Sequence, residues 1–119
     1  MSGYLFGALD GEVLNRVLSG ELAHLDGRVV YRLRGELDAG AAQTFRDRIA
    51  DLVSLSSGNG VVLDLSELTF IDSAGMRSLV QLHEQAQAGG CTLVLLRPQR
   101  QVSSVLDLLG LTDLFTIEP

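Results

Sequence analysis

Positive charge is scarce in this chain: nine basic residues stand against fifteen acidic ones, for a net charge of −6. No basic stripe is available to displace counterions from phosphates, which argues against direct nucleic-acid binding; Arg97 and Arg100 are too few. Cysteine is limited to Cys91. It can make no internal disulfide, and with two histidines far apart in the chain it makes no metal site. Its place inside the apolar stretch "CTLVLLR" marks it as buried filler. No window approaches the roughly 18–20 unbroken apolar residues of a membrane span, so no membrane insertion is expected. The start "MSGYLFGALDGEVLNRV" lacks the basic region and long apolar region of a secretory signal, and a cytoplasmic address is the expectation. Repeats and low-complexity segments are absent as well.

What remains is an ordinary globular composition, 46% apolar and 20% charged over 119 residues. That length supports one compact domain with a real core and is too short for two. Residues 1–16 carry scattered apolar positions (Tyr4, Leu5, Phe6, Leu9, Val13, Leu14) and several glycines. They read as a short extension packed on a domain of residues 17–119.

Within that domain "SGELAHLDGRVVYRLRGELD" predicts two strands around an Asp26-Gly27 turn, the dipeptide that supplies the positive backbone angles of a tight hairpin. In the second strand Val29, Tyr31 and Leu33 alternate with Arg28, Val30, Arg32 and Arg34. This period of two turns one face inward and a largely basic face toward water. From Ala39 the period changes. Ala42, Phe45, Ile49, Leu52 and Val53 recur at helical spacing to about Leu55, and "SSGNG" ends that helix. "VVLDL" is a buried strand, and a second helix starts near Asp72 with Met76, Leu79, Val80 and His83 on one stripe. "CTLVLL" gives another buried strand. Val102, Val105, Leu106 and Leu109 line a third helix after Pro98, and "LFTIE" closes the chain as a short strand.

Strands alternating with helices imply right-handed crossovers and a mainly parallel sheet. The fold class is therefore α/β, with an N-terminal β-hairpin, four to five strands, and helices chiefly on one face because the Arg32 and Arg34 face is solvated.

In open α/β sheets, chemistry gathers at the carboxyl ends of the strands. Two such ends stand out, "RGELDAG" and "TFIDSAG", each pairing an Asp with small residues at a helix start. If Asp72 is the N-cap, its carboxylate accepts an N–H from Ala74 or Gly75 and complements the helix dipole. Ile71 and Met76 then occupy the two positions of a hydrophobic staple. Ser73 falls at the first helical position, where its hydroxyl is not needed for capping. The simpler assignment, in which Ser73 itself caps and Asp72 belongs to the loop, is the one these residues favour on their own. A glycine at position 75 costs the helix roughly 1 kcal/mol relative to alanine, which suggests close approach by another backbone or by a partner.

Enzyme chemistry is poorly supported. A serine nucleophile needs a base within reach, and His83 lies about 15 Å away along the same helix at 1.5 Å per residue. "DSAG" is not a G-x-S-x-G elbow, and no phosphate-binding glycine loop accompanies "VVLDLS". An Asp72 phospho-acceptor would need a neighbouring acid pair for magnesium and a lysine. Asp38 offers one acid and no suitable lysine is evident. Neither a cofactor nor a bound metal is implied.

Three blocks, "GRVVYRLRGELDAGAA", "VVLDLSELTFIDSAGMRSLVQL" and "CTLVLLRPQRQVSSVLDLLGLTDLF", occur in order over residues 18–117. Together they resemble a STAS domain, and specifically the bacterial anti-sigma factor antagonists of the sporulation type. The resemblance implies a binding switch and not a catalyst. It implies an anti-sigma factor partner, often a serine kinase with a GHKL-type ATP fold, whose capture frees a sigma factor. It further implies phosphorylation by that kinase on the serine after the motif's Asp, here Ser73, reversed by a PP2C-type phosphatase. Asp38 and Asp72 match the acids beside the phosphorylation site, with Ala74 and Gly75 completing its surroundings. The partner surface implied for this chain comprises Glu36, Leu37, Asp38, Ser73, Gly75, Met76 and Ser78. Many relatives have a second serine where this chain has Ala74, and leucine where it has Met76; neither departure removes the hydroxyl. Two other readings remain, a STAS scaffold subunit of a stress-sensing or lipid-transport assembly without a phosphorylation cycle, and a small-ligand domain using the same strand ends.

Overall fold

The computed structural model describes residues 11–56 and 58–119, so Tyr4, Leu5, Phe6 and Leu9 of the expected extension lie outside the described residues. The chain runs β1 (Gly11–Val13), β2 (Leu18–Leu25), β3 (Arg28–Leu37), α1 (Ala39–Leu55), β4 (Val61–Ile71), α2 (Ser73–Ala88), β5 (Leu93–Leu96), α3 (Arg100–Leu108) and β6 (Thr116–Glu118). Among the described residues six strands form one sheet in the order β1-β2-β3-β4-β5-β6. The pairs β1/β2 and β2/β3 are antiparallel, and β3/β4, β4/β5 and β5/β6 are parallel. The α/β class, the hairpin and the mainly parallel sheet are as the sequence predicts. The sheet is wider than four to five strands because β1, too short to announce itself by periodicity, pairs with the edge of β2.

Helix placement follows from this order. Each parallel connection steps to the next strand in the same direction, and right-handed crossovers then put all three helices on one face. The main core lies between that face and the helices, where Tyr31, Leu33, Leu63 and Leu65 meet Phe45, Ile49, Leu79, Leu82, Val102 and Leu106. On the inner face of α1 it is Ala41, not Ala42, that is buried with Phe45 and Ile49. The hairpin turns at Asp26 (φ 50°) and Gly27 (φ 80°), two successive left-handed residues that match the twist of the flanking strands.

The opposite face is neither bare nor basic. Ala23, Val30, Val62 and Val94 form a second small apolar cluster on it. Arg32 and Arg97 lie 3.4 and 3.3 Å from the fully buried Asp64 carboxylate, and Arg34 lies 3.0 Å from Glu67. The arginines that suggested a cationic surface are thus paired with carboxylates, and Leu25 and Leu96 pack against the small apolar cluster.

Strand β4 continues six residues past "VVLDL", to Ile71, and is irregular in a way that matters at its end. Its pairing with β3 shifts between Arg32 and Arg34 and again between Gly35 and Glu36. Each shift inserts one extra residue on β4. The helix-facing positions therefore run Leu63, Leu65, Leu68, Ile71 instead of alternating strictly, since a bulge changes the parity of every later side chain. Phe70, which strict alternation after Leu68 would bury, is left 46% exposed.

Candidate functional site

Leu37 and Ile71 are paired at the ends of β3 and β4, and both chains turn there into helices. Asp38 and Asp72 adopt almost the same extended backbone, φ −107° and ψ −177° against φ −106° and ψ −174°. Each caps its helix: Asp38 Oδ1 accepts from Ala41 N–H at 3.0 Å and Asp72 Oδ1 from Gly75 N–H at 2.9 Å. The second oxygen of Asp72 reaches sideways and accepts the N–H of Ala39, the first residue of α1, at 3.0 Å. Two helix N-termini are thereby tied together by one carboxylate, where side-chain acceptors relieve the unpaired first-turn N–H groups.

With Asp72 in the cap, Ser73 stands at the first position of α2, exposed, and its hydroxyl makes no hydrogen bond among the described residues. The staple expected on either side is in place, since Ile71 and Met76 are both buried in the core. Gly75 packs on the end of β3: a Cβ there would overlap the carbonyl oxygen of Leu37. The close approach inferred from the sequence is thus made by a backbone of the same domain.

This changes the membership of the expected partner surface. Leu37 is fully buried, Met76 and Ser78 are 2% and 3% exposed, and Gly75 faces β3. Ser78 is turned inward by donating its hydroxyl to Gly75 C=O at 2.6 Å. Leu37, Gly75 and Met76 shape the site from beneath, and Ser78, although turned inward, lines the floor of the groove that opens beyond Ser73. Glu36 and Ser73 are exposed, with Asp38 and Asp72 half-buried between them and Ala74 beside Ser73. Sequence reasoning missed Phe70, whose backbone pairs with Glu36 on the same rim. It also missed Arg77, four residues beyond Ser73, although that spacing is a visible signal.

Beyond Ser73 the two helices diverge around an open groove of about 270 Å³, walled by Ala39, Ala42 and Arg46 on one side and Ala74, Arg77 and Gln81 on the other. Arg46 donates to the amide oxygens of Gln43 and Gln81, both at 2.6 Å. Among the described residues the Ser73 hydroxyl has no hydrogen-bond partner. Both nearby carboxylates are engaged by backbone N–H groups, and His83 is buried against Phe115, ring centroids 5.4 Å apart. Among the described residues no group of His, Cys, Asp and Glu is arranged to hold a metal ion, and no helix is long and apolar enough to cross a membrane.

A second tie lies at the edge of the sheet. Arg48 of α1 donates two bonds, of 2.8 and 2.7 Å, to Glu12 of β1, and the Tyr31 hydroxyl donates to the same carboxylate at 2.8 Å. Burial works to raise the Glu12 carboxyl, and the bonds from Arg48 and Tyr31 outweigh it, so the group is held below its ordinary value. Burial, reinforced by the bond to Glu12, pushes the Tyr31 phenol up. Gly20 makes room for this ring, since any side chain there would overlap it.

The family model described as STAS domain matches residues 20–119. Among curated proteins, the chain is 22% identical over 107 residues to the anti-sigma-F factor antagonist RsfA of Mycobacterium tuberculosis, covering 89% of this chain and 84% of that one. It is 26% identical over 97 residues to the anti-sigma F factor antagonist of Paenibacillus polymyxa, covering 82% and 83%. The solved structure of the anti-sigma factor antagonist SpoIIAA in its unphosphorylated form superposes with a TM-score of 0.69 at 25% identity, over 82% of this chain and 86% of that one. The phosphorylated form of SpoIIAA, from Bacillus, shares the fold with a TM-score of 0.63 at 24% identity, over 82% and 89%.

Proposed function

The chain belongs to the STAS domain family, and we propose that it is an anti-sigma factor antagonist, which binds an anti-sigma factor when unmodified and releases it when Ser73 carries a phosphate. The observation that carries this reading is the spare hydroxyl. Asp72 performs the capping, so Ser73 is exposed at the head of α2 with no structural bond to give up. That its similar proteins over most of their length are anti-sigma factor antagonists supports it.

In this reading the anti-sigma factor is a serine kinase with a GHKL-type ATP fold, and a PP2C-type phosphatase restores the active form. The protein is acted upon and performs no catalysis itself. Residues 17–119 form the switch domain and residues 1–16 an extension, part of which closes the sheet edge as β1. Glu36, Asp38, Ser73 and Ala74 form the partner surface, with Phe70 at its rim.

Physical terms fit this role. A phosphate adds about −1.5 to −2 charge at Ser73 without breaking a bond of the fold. A partner closing over the site must desolvate that charge. A penalty of about 2.8 kcal/mol lowers affinity roughly a hundredfold, enough for a working switch. The test is incubation with the cognate anti-sigma factor and ATP, followed by mass spectrometric mapping. Modification at Ser73 is expected, and phosphate at another residue contradicts the reading.

A further inference from the structure

We propose that Arg77 is the residue that holds the phosphate on Ser73, so that modification closes an ion pair along α2. This rests on the reading of Ser73 as the phosphorylated residue. All nine basic residues of the chain are arginines, and five of them, Arg28, Arg32, Arg34, Arg48 and Arg97, are paired with carboxylates. Arg77 is not, among the described residues, and neither is Arg46 across the groove, whose bonds go to neutral amides. Two arginines without a carboxylate partner thus wall a groove that opens one residue from Ser73, in a chain of net charge −6.

Geometry favours Arg77 over Arg46. Residues four apart on a helix lie on one face, and an anion N-terminal to a cation is the better order. Long helical side chains lean back over the preceding turn, which for Arg77 is the turn that carries Ser73. A guanidinium meets a phosphate with two parallel hydrogen bonds. The acids around the site make such a partner necessary. Asp72 and Asp38 flank Ser73 from the two caps and Glu36 stands at the end of β3, all disfavouring a phosphate dianion. Arg77 and Arg46 are the cations that wall the adjoining groove.

The experiment places phosphoserine at position 73 of the full chain during translation and follows its second ionisation by phosphorus NMR, with no anti-sigma factor present. Free phosphoserine has its second pKa near about 6. Arg77→Ala is expected to raise the value found in the otherwise unaltered chain by half a unit or more, about a threefold change in proton affinity. Arg77→Lys should recover part of the difference, and Arg28→Ala, at the far end of β3, should leave the value unmoved. An identical titration in the Arg77→Ala protein overturns the proposal. So does a result in which Arg77→Ala weakens binding of the unmodified chain to its partner while the titration is unchanged, since Arg77 then serves an acidic partner instead. Because the titration uses no partner, an anti-sigma factor that binds the phosphorylated chain undiminished would refute the switch and leave the ion pair standing.

Discussion

The carboxylate of Asp72 accepts the N–H of Ala39 at 3.0 Å, so the cap of α2 also secures the start of α1. One residue therefore sets the spacing of the two helix heads that frame Ser73. Asp72→Ala removes the cap bond and this tie together and is expected to cost about 1–2 kcal/mol. Asp72→Asn keeps an oxygen for Gly75 N–H and replaces the other with a donor that cannot serve Ala39. It should cost less than half as much. Urea midpoints for the two variants measure this, and equal losses would show that the tie to Ala39, not the cap, carries the stability.

Gly75→Ala separates packing from helix propensity. Propensity alone favours alanine by about 1 kcal/mol. The Cβ would overlap the carbonyl oxygen of Leu37, a backbone atom with no room to move aside. A net destabilisation of about 1–3 kcal/mol is expected from such overpacking. Thermal unfolding decides the sign, and a stabilised variant would mean that α2 does not press on the end of β3.

The Glu12–Arg48 tie gives stability a pH dependence of known sign. Glu12 is held below its ordinary value of 4.5, so its contribution is fully present above that pH and is lost as pH falls through the lowered value. Glu12→Gln is expected to cost about 1 kcal/mol at pH 7 and progressively less as pH falls below the ordinary value of 4.5. Tyr31 acts on the opposite limb. Its raised phenol favours the folded chain up to its ordinary value of 10.0, and that contribution is lost as pH rises beyond it. Denaturant titrations at pH 7 and at acid pH compare the two proteins, and a gap that widens toward acid would contradict the assignment.

Much of this was legible in the sequence. Helical spacing of Phe45, Ile49 and Leu52 placed α1, and the sequence put the start of α2 near Asp72, while the choice between Asp72 and Ser73 as its cap needed the bond from Gly75 N–H. The two shifts in β4 were not legible, because a bulge is a property of the pairing with β3 and leaves no mark in β4 alone. That is why Phe70 was not foreseen at the rim. The burial of Met76 and Ser78 could have been deduced, since a staple residue points inward by definition and Ser78 lies one turn from Gly75. The resemblance to a family names a surface by its stretch of chain, whereas a helix shows only part of each turn to a partner.

Ser73→Ala should leave the unfolding free energy from urea denaturation within about 0.5 kcal/mol of the unaltered chain, as befits an exposed side chain without a bond. It should also abolish phosphate incorporation while preserving partner binding. A large loss of stability would return Ser73 to a structural role.

The most direct measurement is the dissociation constant of the cognate anti-sigma factor for two preparations of the full chain, one unmodified and one carrying phosphoserine at position 73. The proposed switch predicts affinity lower by about a hundredfold for the phosphorylated chain, equivalent to about 2.8 kcal/mol. Equal dissociation constants would contradict it.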